Sequence, residues 1–238
     1  MVLAFDMFGT LAETASVTGE LAPDCGERAA GVAAAWRRKQ LEYMFRVTAM
    51  GQFPSFADLT RWSPAGALAE SGLTLPESRV GDLASAYRRL RPYSDARPAL
   101  AALREQGHAI VVCSVGPLDS LEELAGSYRE LVDDLVSAEQ AGVYKPHPGI
   151  YRHLLTRMQA EPASVLLVSS NPFDIIGAGA VGLRTVWCMH ISQFWASSEP
   201  PRRTIYLYLA SFGSGEAANA WPCNERRVRC VTARKAAE

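Results

Sequence analysis

An aspartate closes the first apolar run of the chain. Val2-Leu3-Ala4-Phe5 leads into Asp6, and a glycine turn with a hydroxyl, Gly9-Thr10, follows within four residues. An apolar run cut off by a turn reads as a buried strand of a parallel sheet. Open α/β sheets carry their chemistry just beyond the carboxyl ends of the strands, so Asp6 stands where a nucleophile would stand. Gly9 lets the backbone fold back and Thr10 offers a hydroxyl to the carboxylate. Other polar groups follow later apolar runs in the same way: Ser114, then Ser169-Ser170-Asn171 with Asp174 shortly after. Lys145 lies in Val143-Tyr144-Lys145-Pro146. Each has a bland alternative. A serine after a strand commonly caps a helix, a Lys-Pro pair is commonly exposed, and Asp174 in a first helical turn simply suits the helix dipole. Their recurrence at successive strand ends is what points to a site.

The elements that must position these groups can be read from period and punctuation. A long helix is expected from about Glu27 to Met50, where Ala, Arg, Lys, Gln, Leu and Met dominate without proline. After Pro54, Ser55 is placed to cap a helix starting near Phe56, and a further helix is expected from Glu77 to Leu90. No convincing strand lies between Ala15 and Arg91, so this block is expected to be an inserted helical subdomain. From Pro92 helices and strands alternate. Strands are expected at Ala109–Ser114, Asp134–Ser137, Val165–Ser169 and Thr185–Cys188. Helices are expected at Ser94–Gln106, Leu118–Gly126, Pro148–Gln159 and Phe173–Val181. The expected fold is therefore α/β, a doubly wound and mainly parallel sheet, with residues 1–14 and 92–190 as core and 15–91 as helical cap. Residues 191–238 form a divergent tail.

Composition narrows the function classes. With 238 residues, 48% hydrophobic and 21% charged, the chain is long enough for one sizeable core and an inserted unit. A net charge of -1 gives no electrostatic reason to expect nucleic acid or an anionic membrane as partner. No apolar stretch approaches the roughly 20 residues of a membrane span, and no signal segment precedes the first strand. The five cysteines show no paired metal-ligand spacing, and Cys113 and Cys188 lie in apolar runs, as reduced buried thiols do. The four histidines, His108, His147, His153 and His190, are scattered, although His147 is close enough in sequence to Lys145 to line a cleft with it. A cytoplasmic enzyme without metal or cofactor is the expectation.

Asp6-Met7-Phe8-Gly9-Thr10, Ser114, Lys145 and Ser169-Ser170-Asn171-Pro172-Phe173-Asp174 occur in the order of the four motifs of the haloacid dehalogenase superfamily. Trp36-Arg37-Arg38-Lys39-Gln40-Leu41-Glu42-Tyr43 resembles the cap helix of its type II L-2-haloacid dehalogenases, and Tyr144-Lys145-Pro146 with Tyr151 resembles their third motif. The resemblance covers about residues 2 to 187. Phosphatases of the superfamily carry a second Asp two residues after the nucleophile; here that position is Phe8, which cannot protonate a leaving alkoxide. A halide needs no such acid. The resemblance implies that Asp6 displaces halide from a small 2-haloalkanoate and forms an ester, with Lys145 and Thr10 holding the carboxylate. It gives Arg37 the departing halide and Ser114, beside the backbone at Val115, the substrate carboxylate. Asp174, with Ser169, Asn171 and Tyr151, would activate the hydrolytic water. Leu41, Phe56 and Phe173 would wall the substrate's short chain, and the relatives imply a homodimer.

Two departures stand out. The second motif of the relatives reads Ser-Asn-Gly, whereas this chain has Ser114-Val115-Gly116, which removes a side-chain donor from the halide site. Beyond Cys188 the sequence turns to an Arg-, Ser-, Pro- and Cys-rich tail, a divergent extension or the product of a shifted reading frame. Thr204 to Phe212 could form a strand or a buried helical turn, and Glu199 to Glu238 is expected to be poorly ordered in large part. Three functions compete: an (S)-2-haloacid dehalogenase yielding the (R)-2-hydroxy acid, a magnesium-dependent phosphatase, and a small-carboxylate-binding homologue with impaired turnover.

Overall fold

The computed structural model describes residues 1–188 and the backbone of residues 204–207. The parallel sheet has the order β3-β2-β1-β4-β5-β6, built from β1 (Val2–Phe5), β2 (Ala109–Ser114), β3 (Asp134–Ser137), β4 (Val165–Ser169), β5 (Arg184–Cys188) and β6 (Thr204–Leu207). The strand order reverses between β1 and β4, which is where a doubly wound sheet opens its ligand crevice. Register fixes what meets there. Phe5 pairs with Val112 on one side and Val168 on the other, so Asp6 emerges level with the ends of β2 and β4. Leu3, Phe5, Ile110, Val112, Leu166 and Val168 are all buried. These strands therefore read as continuous apolar runs because both faces of the sheet are covered.

Four helices follow β1 before helix and strand begin to alternate: α1 (Thr18–Cys25), α2 (Ala29–Ala49), α3 (Phe56–Glu70) and α4 (Glu77–Ala86). They pack on one another, α2 most extensively on α3 and α1. Ser55 caps α3 as expected, its hydroxyl accepting from the Asp58 N–H at 3.1 Å. The expected helix from Glu77 to Leu90 is shorter: α4 stops at Ala86 and Tyr87–Arg89 tighten into a 3-10 turn. The sequence reading did not foresee α1. Gly19 and Pro23 argue against a helix there by propensity, but Leu21 and Cys25 are buried against their neighbours, and packing overrides propensity.

After β1 and the four helices come α5 (Ala96–Glu105), α6 (Leu118–Ala125), the short α7 (Ala138–Ala141), α8 (Pro148–Met158) and α9 (Pro172–Ala180), alternating with the strands. Each follows its expected position to within two residues, apart from the single-turn α7, whose boundary is set by a capping box between Ser137 and Gln140. In the tail, Thr204–Leu207 pair with Thr185–Cys188 as an edge strand, which settles the alternative at those positions in favour of a strand. The remaining expectations for 191–238 lie outside the described residues.

Candidate active site

Asp6 stands one residue past β1, and its N–H still donates to the Val168 carbonyl at 3.0 Å, continuing the ladder. Its carboxylate is 3% exposed and every one of its contacts is a donor. Oδ1 accepts from Lys145 Nζ at 3.1 Å; Oδ2 accepts from Asn171 Nδ2 at 2.7 Å and from Thr10 Oγ1 at 3.1 Å. Such bonds fix the direction in which the carboxylate points. The turn that brings Thr10 back depends on Gly9, whose φ of +86° is in the left-handed region and whose missing Cβ would lie 3.2 Å from Ser170 Oγ. Ser170, named in the sequence only as part of its motif and given no role there, ties that turn to the end of β4. Its N–H donates to Thr10 Oγ1 at 2.9 Å and its hydroxyl to the Gly9 carbonyl at 2.6 Å.

Lys145, just ahead of α8, is 1% exposed and spends its three N–H donors inside the site. They reach Asp6 Oδ1, Asp174 Oδ2 at 2.6 Å and the Cys113 carbonyl at 2.7 Å. Burial alone would pull the ammonium pKa down, but Asp174 and Asp6 outweigh it and hold the pKa well above its ordinary value. Asp174, in the first turn of α9, is fully buried, and its Oδ1 accepts from the Tyr151 hydroxyl at 2.8 Å. Burial pushes this carboxyl up, against the opposing pull of Lys145. The two carboxylates thus share one lysine but differ in surroundings.

The remaining expected residues divide. The Asn171 side chain turns to Asp6 and to the Phe8 carbonyl, at 3.0 Å, rather than toward Asp174. The Ser169 hydroxyl accepts from the Asn171 N–H at 3.1 Å and so shapes the start of α9. Ser114 Oγ, at the tip of β2, is buried and has no hydrogen-bond partner among the described residues. Val115 is buried in the core and its side chain offers no donor. His147 serves as the N-cap of α8, its Nδ1 accepting from the Gly149 N–H at 3.0 Å.

From above, α2 presents Arg37, Leu41 and Phe45 at four-residue spacing, hence on one face. Arg37 reaches the Phe8 carbonyl at 3.5 Å and Phe45 meets the edge of Phe173 with ring centroids 5.1 Å apart. This face therefore looks onto the carboxyl ends of the strands. Arg37 forms no ion pair among the described residues, whereas Arg38 and Lys39 pair with Glu70. Its other contact is Gln40 Oε1 at 2.8 Å, and the buried Gln40 in turn donates to Thr60 Oγ1 on α3 at 3.1 Å. Gln40 is a second residue that sequence reasoning missed; its only signal was a polar side chain three residues from Arg37. Phe8 stacks on Phe56 with centroids 5.2 Å apart. A cleft of about 360 Å³ runs beside them, lined by Phe8, Phe56, Thr60, Tyr87, Arg88 and Pro117 among others, but not by Asp6, Arg37 or Lys145.

These observations describe a fixed carboxylate at a topological switch point, a lysine shared with a second carboxylate, and an arginine brought down by a helical insertion. Comparisons with known proteins agree. The chain is 34% identical over 201 residues to (S)-2-haloacid dehalogenase 1 of Pseudomonas sp. (strain CBS-3), covering 84% of this chain and 88% of that one. It is 36% identical over 193 residues to the (S)-2-haloacid dehalogenase of Xanthobacter autotrophicus, covering 80% and 76%. Among solved structures, the L-2-haloacid dehalogenase of Xanthobacter autotrophicus with chloropropionic acid covalently bound superposes with a TM-score of 0.82 at 28% identity, covering 91% of this chain and 98% of that one. A family model described as haloacid dehalogenase-like hydrolase matches residues 1–182, and with the site just described the chain belongs to that family.

Proposed function

We propose that this protein is a hydrolytic dehalogenase that converts a small (S)-2-haloacid to the (R)-2-hydroxy acid and halide through an ester on Asp6. The observation that carries the reading is the pairing of an Asp6 anion held by Lys145, Asn171 and Thr10 with a phenylalanine at position 8, packed on Phe56. In the first step Asp6 attacks C2 from the side opposite the halogen. The carbon–halogen bond breaks, its electron pair leaves with the halide, and C2 inverts. Arg37 receives the anion. Ser114, whose hydroxyl has no hydrogen-bond partner among the described residues, takes the substrate carboxylate. Leu41, Phe56 and Phe173 bound the short alkyl chain.

In the second step Asp174 removes a proton from water, and the resulting hydroxide adds to Asp6 Cγ. Collapse breaks the ester's acyl–oxygen bond, and the departing alkoxide takes up the proton from Asp174. Asp6, now carrying one solvent oxygen, releases the remaining proton of the water to solvent and returns as the carboxylate. Lys145, Asn171 and Thr10, already at the carboxylate oxygens, stabilise the tetrahedral oxyanion. The covalently bound chloropropionic acid in the Xanthobacter autotrophicus structure supports an intermediate of this kind. Residues 1–14 and 92–190 would form the catalytic core and 15–91 the cap. A homodimer, the assembly implied by the resemblance, is tested by analytical ultracentrifugation.

The deciding assay compares halide release from L-2-chloropropionate with phosphate release from a generic phosphate ester. Halide alone is expected. Asp6→Asn should retain the fold by circular dichroism and release no halide, and a single turnover in heavy-oxygen water should put the label in Asp6 before the product. Label appearing first in the hydroxy acid would remove the ester from the mechanism.

A further inference from the structure

Tyr87 carries a buried polar group that nothing above has used. Its side chain is 2% exposed, and its hydroxyl is sealed from solvent with no hydrogen-bond partner among the described residues. The ring lines the cleft beside Phe8 and Phe56, at 6.2 Å from the Phe8 ring and 4.7 Å from that of Trp36. Trp36 is already satisfied by Ser63 Oγ at 2.9 Å, so it makes no claim on the tyrosine. Buried donors without partners are rare, and they concentrate where a ligand completes them. Among the described residues Ser114 is the other buried hydroxyl in this state, and it already stands at a strand end of the site.

What Tyr87 faces indicates the ligand. The ring packs on Trp36, the residue before Arg37 on α2, and on Phe8, whose carbonyl Arg37 reaches at 3.5 Å, and burial raises the phenol so that it stays a neutral donor. A neutral donor walled by Trp36 and by Phe8, whose carbonyl holds an arginine without an ion pair among the described residues, suits a weakly hydrated anion. Val115 adds no side-chain donor.

We propose that the Tyr87 hydroxyl donates to the departing halide, completing with Arg37 a cradle for that anion. This rests on the dehalogenase reading of the site. The hydroxyl is idle in the free enzyme and gains its partner only as the carbon–halogen bond breaks, so it acts on the barrier rather than on substrate affinity.

Tyr87→Phe tests it, because it removes one oxygen and keeps the ring packing. The variant should melt at the same temperature or higher, since it deletes an unpartnered buried hydroxyl. Its kcat on 2-chloropropionate should fall roughly tenfold or more with KM little changed, and clearly less on 2-bromopropionate, where departure of the halide is easier. Protection of the protein against thermal unfolding by bromide, relative to sulfate at equal ionic strength, should weaken as well. An unchanged ratio of chloride to bromide rates in a folded Tyr87→Phe, or a loss expressed only in KM, overturns the assignment. If the wild type releases no halide from either acid, the functional reading fails instead. Bromide protection in wild type and variant then decides the tyrosine's role alone, equal protection ruling it out.

Discussion

Asp6, Lys145 and Asp174 form one electrostatic unit, and substitutions at its edge should be read through it. Tyr151 donates to Asp174 Oδ1, and that bond favours the ionised carboxyl. In Tyr151→Phe the donor is gone and the carboxyl is harder to ionise, so the acid limb of ester hydrolysis should move to higher pH than in wild type. Rate against pH in single-turnover experiments measures this; an unmoved limb would mean that Asp174 is not the base. Val115 is the other informative position. A donor aimed at a departing anion is worth about a hundredfold in rate. Val115→Asn should therefore speed chloride release by about tenfold or more, and bromide release less. A folded Val115→Asn no faster on chlorinated substrate would place residue 115 away from the halide. At this scale the sequence was informative where chemistry demands a rare residue, as at Asp6, Lys145 and Asp174. It gave no role to Gln40, Ser170 and Tyr87, whose contacts with Thr60, Gly9 and Thr10, and Trp36 and Phe8 are made across different elements.

The elements decide how closely these side chains can be assembled. Helix α9 carries Asp174 and α8 carries Tyr151, and the two pack tightly because residue 177 has no side chain. A Cβ on Gly177 would meet Tyr151 Oη and Cε2 at 2.7 Å and the Pro146 carbonyl at 2.8 Å. The carbonyl belongs to backbone beside Lys145 and cannot yield cheaply. Gly177→Ala is thus expected to displace Tyr151 from Asp174, cut halide turnover by at least about tenfold, and destabilise the fold by about 1–3 kcal/mol. Urea denaturation and steady-state kinetics check both halves. Strand bounds were legible because β2, β3 and β4 are apolar runs ended by polar residues. Where the reading erred, packing had overridden local preference: α1 forms despite Gly19 and Pro23, and the helix expected to reach Leu90 tightens after Ala86, at the turn that sets Tyr87 beside Trp36.

Across the whole molecule the site draws on β1, β2, β4, the approach to α8, the start of α9, and α2 from the insertion. Alternation of helix and strand in the sequence was enough to place all but the last at one sheet edge. The descent of Arg37 onto the Phe8 carbonyl required the tertiary structure. Asp6 and Asp174 bring two negative charges, and Lys145 and Arg37 bring two positive ones. A site balanced in this way, with the lysine already between the carboxylates, has little to offer a hard divalent cation, which takes several oxygen ligands of net negative charge. Halide release should be unaffected by chelator and by added magnesium. A loss on chelation restored by magnesium would contradict this.

The shared lysine has a consequence for timing. The charge on Asp6 is one of the influences that raise the Asp174 pKa in the resting enzyme. In the mechanism proposed above, alkylation of Asp6 would abolish that charge and leave Lys145 and Tyr151 to act on Asp174 without opposition from Asp6. The ester would thereby prime its own destruction, with Asp174 moved toward its ionised form by the very event that creates its task. A loaded enzyme in mildly acidic medium should consequently clear its intermediate rather than stall with it.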